Sequence, residues 1–351
     1  MNRRPWPASV RADFPASLLA MLLPVLLPVT VLIVLGATWA MTQPMTRIAV
    51  STGHPPLGLL VWQLVVSVLL LGGWNLWRRK PLPLTPRALV LFVVVALLGT
   101  VLPNSANYKA AAHLPSGVMS IIISTVAMFT FPLAIAVGID RFSWARMGGL
   151  VLGLVGIVLI ATPEASLPDP AGAPFVWLAL FASACYAGEG VYLGRRGAEG
   201  LGPVTVLLGA SLVALVLALP LAYASGQLVN PLRVWAAPEY AITLSSVLNV
   251  VAYVGYIWLV GHSGAVFAAQ ITYLATGFGV FWAMILLGES YSGPVWIALA
   301  AMMGGLALVQ PRPRPEPQMP PDDAAPRNDV VPGGTRPQDA RLTATSDRDP
   351  T

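Results

Sequence analysis

Glu189 is the one carboxylate well inside a long apolar stretch of this chain, residues 174–193. Holding a carboxylate at the centre of a bilayer costs on the order of 3 kcal/mol or more, so a residue kept there is a candidate proton carrier, protonated towards one side and ionised when it meets water or a bound molecule on the other. The same helix offers a plainer reading. Arg196 lies seven residues on, about 10 Å away at 1.5 Å per residue, and an interfacial glutamate could lean towards it.

Other polar side chains recur at helical spacing inside apolar stretches: Gln63 with Ser67, Asn104 with Asn107 and Tyr108, Ser120 with Ser124, Asn249 with Tyr253 and Tyr256, and Gln270 with Tyr273 and Gly277. Offsets of three, four or seven put each set on one helix face, and a polar face must meet protein or water rather than lipid. Interhelical bonding alone, worth about 0.6 kcal/mol per contact, would explain any single stripe. Five stripes of amides, hydroxyls and phenols near mid-helix are expected to surround one central cavity. Pro103 beside Asn104 frees a backbone carbonyl one turn earlier. Trp39, Gln43 and Pro44 are candidates for a gate, the proline breaking its helix beside a vestibule.

Several classes of chemistry are absent. His54, His113 and His262 have no metal-ligand spacing, the single cysteine Cys185 excludes an internal disulfide and a cysteine-built zinc site, and no G-x-x-x-x-G-K-[ST] sequence is present. No metal and no cofactor are expected.

The elements that position these residues follow from composition. Hydrophobic residues make up 56% of 351 and charged ones only 10%, too few charges for a soluble surface of that size. Residues 310–351 alone hold six Arg and seven Asp or Glu, leaving 14 basic and 8 acidic residues in the first 309. That excludes a secreted disulfide scaffold, a nucleic-acid binder and an ordinary cytosolic enzyme. A bilayer core of about 30 Å needs about 20 apolar helical residues. Ten segments meet that need, near 18–41, 57–77, 88–107, 116–138, 144–162, 174–193, 203–223, 240–260, 264–287 and 293–309. The first has an apolar stretch too long for a signal peptide and no small-x-small cleavage site after it, so it is expected to stay attached. Residues 1–17 precede the spans, and 310–351, with ten prolines in 42 residues, read as a disordered tail.

Loops left in the cytoplasm retain positive charge. With the N-terminus inside, the inner segments carry Arg3, Arg4, Arg11, Arg78, Arg79, Lys80, Arg87, Arg141, Arg146, Arg195 and Arg196, against Arg47, Lys109 and Arg233 outside. Both termini are therefore expected in the cytoplasm.

The spans divide into five and five, residues 18–162 and 174–309, joined by an outer loop at 163–173. Ala37-Thr38-Trp39-Ala40 matches Ala184-Cys185-Tyr186-Ala187, and Ser116-Gly117-Val118 matches Ser263-Gly264-Ala265. Asp140-Arg141-Phe142-Ser143 matches Glu289-Ser290-Tyr291-Ser292, and Gly156 and Gly305 keep the same offset of 149. Five being odd, the second half enters from the opposite face, which makes an inverted repeat. The expected fold class is thus an all-α polytopic membrane protein of ten transmembrane helices in two inverted five-helix repeats. Asp140 and Glu289, at matching span ends, read as structural pivots receiving amides at the start of the next helix. Gly149 and Gly153, matched by Gly304 and Gly305, read as close-packing faces.

The segment Asn107-Tyr108-Lys109-Ala110-Ala111-Ala112-His113-Leu114-Pro115-Ser116-Gly117 resembles the connection between spans 3 and 4 of the EamA type of the drug/metabolite transporter superfamily, and Ile285-Leu286-Leu287-Gly288-Glu289 is similar to its Leu-Gly-Glu signature. The likeness covers residues 18–309 in two copies. Departures fall where that family lines its pocket: Ala127 and Thr276 stand in place of a proline, Asp140 in place of a glutamate, and Gln63 in place of an arginine.

The expectation is a secondary transporter of a small polar or amphipathic metabolite, working by rocking of the halves in a bacterial inner membrane. No nucleic-acid partner is expected, and monomer and homodimer stay open. The resemblance implies efflux and a proton gradient. An intramembrane enzyme on a lipid-linked substrate is the alternative, but the spans hold no paired carboxylates and no nucleophile with its base; a channel or scaffold would have no use for the repeat.

Overall fold

Proline opens several helices and a left-handed glycine follows several others, the asymmetry that the missing proline N–H and the missing glycine Cβ produce. The computed structural model describes residues 14–139, 141–161, 170–232, 234–263 and 271–309. The helices are α1 (Phe14–Val50), α2 (Pro56–Trp77), α3 (Pro86–Ala96), α4 (Leu102–Ala111), α5 (Ser116–Ile123), α6 (Thr125–Ala136), α7 (Trp144–Ala161), α8 (Ala173–Arg196), α9 (Pro203–Ala224), α10 (Ala237–Ser263), α11 (Ile271–Leu287) and α12 (Gly293–Val309). Thr85 caps α3 by accepting from the Ala88 amide at 3.3 Å. Gly288, at φ 64°, turns the chain sharply after α11 and so sets the direction of Glu289.

Among the described residues, six helical stretches are long and apolar enough to cross a membrane: Leu27–Val50, Pro56–Trp77, Pro86–Ala111, Ser116–Ala136, Ala173–Arg196 and Pro203–Ala224. Trp144–Ile160, Ile271–Leu287 and Gly293–Leu308 are shorter apolar helices. No strand occurs among the described residues. With Leu69, Leu76, Trp144 and Val216 all more than two-thirds exposed, the outward faces are themselves apolar. The chain is a multi-pass membrane protein whose described residues are all-helical in their regular structure.

Two irregularities matter for function. Between α3 and α4 the helix widens into a π turn over Leu97–Val101, where the Leu102 amide reaches back five residues to Leu97. Pro103 is the local cause: it has no N–H for the Gly99 carbonyl, and its ring would collide with that carbonyl in a regular helix. The second is at Ser124, between α5 and α6, where the Ser124 and Thr125 hydroxyls bond back to Ile121 and Ile122 at 2.7 and 2.6 Å. Such back-bonding bends a helix.

Pro44 departs from expectation. Rather than breaking the first helix it sits buried inside α1, which runs on to Val50.

The packing order is specific. α1 lies against α10 and α11, while α8 lies against α4 and α6; α2 meets α10, while α9 meets α3. The remaining principal contacts pair α2 with α9, α5 with α11, and α7 with α12. In the last pair, a Cβ on Gly305 would fall 2.7 Å from the Gly149 carbonyl oxygen, and one on Gly156 would fall 3.2 Å from the Ala298 carbonyl oxygen. The two helices touch backbone to backbone, as small residues permit.

Candidate functional site

Five polar side chains from three helices form one hydrogen-bonded chain. Tyr108 on α4 donates its hydroxyl hydrogen to Gln63 Oε1 on α2, and Asn104 Nδ2 donates to the same oxygen at 3.3 Å. Tyr186 on α8 donates to Asn104 Oδ1 at 2.7 Å and accepts from Asn107 Nδ2 at 3.5 Å. Asn104, Asn107 and Tyr108 are delivered together by helical spacing on α4. Tyr186 comes from the other half of the sequence, so the network joins the two halves.

Every donor in this chain but one amide group is spent on a neighbour, whereas Asn107 Oδ1 is buried without a partner among the described residues. A buried acceptor left unpaired costs about 1–3 kcal/mol, which marks it as a group awaiting a donor.

Glu189 lies one turn beyond Tyr186 on α8. Its carboxylate rests on the π turn, so close to Gly99 that a Cβ there would stand 2.5 Å from Cδ and Oε2 and 2.6 Å from Oε1. Only a residue without a Cβ leaves the carboxylate in that place. Glu189 forms neither a hydrogen bond nor an ion pair with any other described residue. The pairing with Arg196 is not made: Arg196 is exposed, and its neighbour Arg195 donates to the Val137 carbonyl at 3.3 Å.

Aromatic rings complete the surroundings. Trp39 on α1 meets Tyr253 and Tyr256 on α10 edge-to-face, with ring centroids 6.4 and 6.1 Å apart. Tyr253 is also within electrostatic reach of Glu189, as is Tyr186. Asn249 shares their face of α10 at the expected spacing.

Other sequence candidates stand elsewhere. Ser124 is fully buried in the bend between α5 and α6, bonded to Ile121 rather than to the network. Ser120 bonds back to Ser116 at 3.1 Å and packs on Gly279, where α5 crosses α11. Tyr273 and Gln43 are partly buried on α11 and α1. Gln270 and Asp140 lie outside the described residues, as do the tail 310–351 and residues 1–13.

Glu289 is a correction of detail. Instead of capping the helix that follows it, it reaches across the halves and accepts from the Ser116 and Gly117 amides at the start of α5, at 2.8 and 3.1 Å. Tyr291 donates to the same carboxylate and accepts from the Gly117 amide at 3.1 Å. Burial, then the hydrogen bond to Glu289 and its charge, push the Tyr291 phenol well above its ordinary range, so it stays a donor. Beside them Arg47 donates to the Ala111 carbonyl at the end of α4. Arg47 and Glu289 share an open pocket of about 350 Å³ with Ile48, Ser51 and Leu287.

The same end holds more links between the halves. His54 pairs with Glu239 at 2.9 Å, both buried, and Gln227 Oε1 accepts from the Leu57 amide at 3.3 Å. His113 stacks on Phe175, centroids 3.7 Å apart.

Tyr186, Gly99 and the Arg47 contact escaped the reading of polar stripes. Tyr186 did carry a signal, since it occupies the place of Trp39 in the repeat. Gly99 carried none that spacing could reveal, because its importance lies in what approaches it.

Comparison with known proteins gives a consistent result. The model of the EamA-like transporter family matches residues 26–162 and again 174–310. The chain is 26% identical over 287 residues to YedA, described as an uncharacterized inner membrane transporter, of Escherichia coli strain K12, covering 79% of this chain and 89% of that one. The YedA protein of the O157:H7 strain matches to the same extent. A crystal structure superposes with a TM-score of 0.54 at 18% identity, covering 80% of this chain and 94% of the other, a likeness of fold.

Proposed function

The chain belongs to the EamA-like transporter family and is a membrane transporter, not an enzyme, and from that premise we propose that it carries a small polar or amphipathic metabolite by alternating access, as a proton-coupled exporter of the inner membrane. The observation that carries this reading is Glu189, a carboxylate without ion pair or hydrogen bond among the described residues, set beside a network contributed by both halves. Such a group is free to exchange a proton or a ligand, whereas a structural carboxylate would be paired.

Alternating access needs two half-equivalent bundles, and the packing supports ten spans in two inverted repeats. Exchange α1 with α8, α2 with α9, α3 and α4 with α10, α5 and α6 with α11, and α7 with α12, and the principal packing pairs map onto themselves. The contacts Gly305 to Gly149 and Gly156 to Ala298 are related by the same offset of 149 residues. Rocking one half on the other is the motion this architecture serves.

The distribution of basic residues favours the Arg47 end as the outer one, with both termini in the cytoplasm. The contacts of Glu289, Tyr291, His54, Gln227 and His113 bind the halves together there. We read that end as the closed gate of this conformer. Gln63, Asn104, Asn107, Tyr108, Tyr253 and Tyr256 would then line the central site, with Asn249, Gln270 and Tyr273 as further contributors.

Counterflow in proteoliposomes tests the carrier reading. Vesicles preloaded with a mixed metabolite pool should take up labelled pool members with saturation. Leak without saturation would mean a channel, and no movement of any member would remove the reading.

A further inference from the structure

Resting on that carrier reading, we propose that the cargo is a monocationic amine with a ring-sized apolar body, that Glu189 is its counter-ion, and that zwitterions and anions of the same shape are refused.

The argument starts from which charges and hydrogen-bond groups are unspent. Glu189 presents a full negative charge, when ionised, that no described residue neutralises. The nearest basic side chains by sequence are committed or remote: Arg195 is bonded to Val137, and Arg196 is exposed at the end of α8. From the other helices, Arg47 is bonded to Ala111, Lys109 is exposed, and Arg146 lies over the Phe131 ring. A cargo carboxylate placed beside Glu189 would therefore meet a like charge and no compensating cation, an arrangement that strongly disfavours ionisation of both.

Hydrogen-bond polarity points the same way. The Tyr108 hydroxyl hydrogen is used by Gln63 and that of Tyr186 by Asn104, so these two phenols have no hydrogen left to offer. The Gln63 amide keeps its hydrogens, while acceptor capacity is left on the buried Asn107 Oδ1 and on the two Glu189 oxygens. An ammonium group brings three donors and no acceptor. It neutralises the Glu189 charge, which an alcohol leaves standing and a carboxylate opposes.

The apolar part is set by the rings. Trp39 stands edge-to-face with both Tyr253 and Tyr256, and Tyr253 is within electrostatic reach of Glu189. Aromatic rings within electrostatic reach of a carboxylate favour a cation attached to an apolar body, through ring quadrupoles as well as area. The charge requirement comes from Glu189, and the body requirement from the aromatic group, so the two are separable by experiment.

Four probes of one shape separate the charges: 2-phenylethylamine, L-phenylalanine, 2-phenylethanol and 3-phenylpropionate. Their effect on the apparent melting temperature of the purified full chain is compared at neutral pH for wild type, Glu189→Gln and Glu189→Asp. The amine should raise the wild-type value by several degrees, the other three by little, and Glu189→Gln should erase the amine response while Glu189→Asp keeps part of it. Equal or greater stabilisation by phenylalanine or phenylpropionate overturns the proposal, as does an undiminished amine response in Glu189→Gln or no response to any probe. Counterflow keeps the two readings apart. Saturable exchange of an anion or zwitterion leaves the carrier standing and sinks the cation assignment, whereas absence of exchange for every compound sinks the carrier itself.

Discussion

The carboxylate of Glu189 on α8 lies against the Cα of Gly99, inside the π turn that Pro103 forces on the helix opposite. A methyl group at position 99 would stand 2.5 Å from the carboxyl carbon. The neighbour that must give way is the far end of a flexible side chain, so Gly99→Ala should fold and insert normally yet displace Glu189. Transport is expected to fall at least about tenfold, equivalent to about 1.4 kcal/mol, with little change in melting temperature. Equal loss of transport and of folded protein would assign Gly99 to packing alone.

Glu189→Gln keeps the shape and removes the titrating group. The variant should insert at wild-type levels and lose all dependence of transport on an imposed pH gradient, while exchange of cargo down its own gradient persists where the cargo still binds. Unchanged coupling removes Glu189 from the proton path.

At the other site, Glu289 joins the two halves by accepting two amides at the start of α5. Loss of an N-terminal cap typically costs about 0.5–2 kcal/mol, and here the loss should fall on the closed conformer. In Glu289→Ala a cysteine placed at Ser116, which is buried in this conformer, with Cys185 replaced by serine, should react with an impermeant maleimide severalfold faster. The same labelling rate in both proteins would show that Glu289 braces the bundle in all of its states.

The Tyr291 phenol, raised by burial and by Glu289, gives a pH signature with a definite sign. A group whose folded-state pKa exceeds its unfolded value near 10 contributes stability below that value and loses it as pH climbs towards the folded one. Wild type should therefore lose melting temperature above about pH 10, and Tyr291→Phe should show a shallower alkaline limb together with a loss of about 1 kcal/mol at neutral pH. Parallel alkaline limbs would contradict it.

Much of this was legible in the sequence, for identifiable reasons. Helix positions follow from apolar runs bounded by proline and glycine, which is why α2 and α9 begin at Pro56 and Pro203. Spacing on one helix is a local property, so it groups Asn104, Asn107 and Tyr108, which the structure joins with Gln63 in one hydrogen-bonded chain. Gly99 and the partner of Glu289 escape such spacing, because each depends on which segment lies opposite, and that is fixed by packing across more than 80 residues of chain. Pro44 misled for a related reason: a proline removes one hydrogen bond from a helix without ending it where packing holds the rest, and α1 continues through Pro44 to Val50.

Backbone contact between α7 and α12 gives a stability test independent of transport. Gly305→Ala would set a methyl group 2.7 Å from the Gly149 carbonyl, with the Met128 methyl at 2.9 Å. Backbone on one side cannot yield as a side-chain tip does, so a loss of about 1–3 kcal/mol is expected, the usual size for overpacking. Thermal unfolding in detergent checks it, with a neutral result arguing that the two helices separate easily.

Alternating access at the Gln63–Tyr186 network is tested most directly by reaching it from each side in turn. Asn107→Cys, in a Cys185→Ser background, is exposed to an impermeant maleimide applied to right-side-out and to inside-out vesicles. A carrier should show labelling from both faces, with Glu289→Ala raising the rate from the Arg47 face and lowering it from the other. Labelling from one face alone in every variant, or simultaneous rises from both, would contradict a site that opens to the two sides alternately.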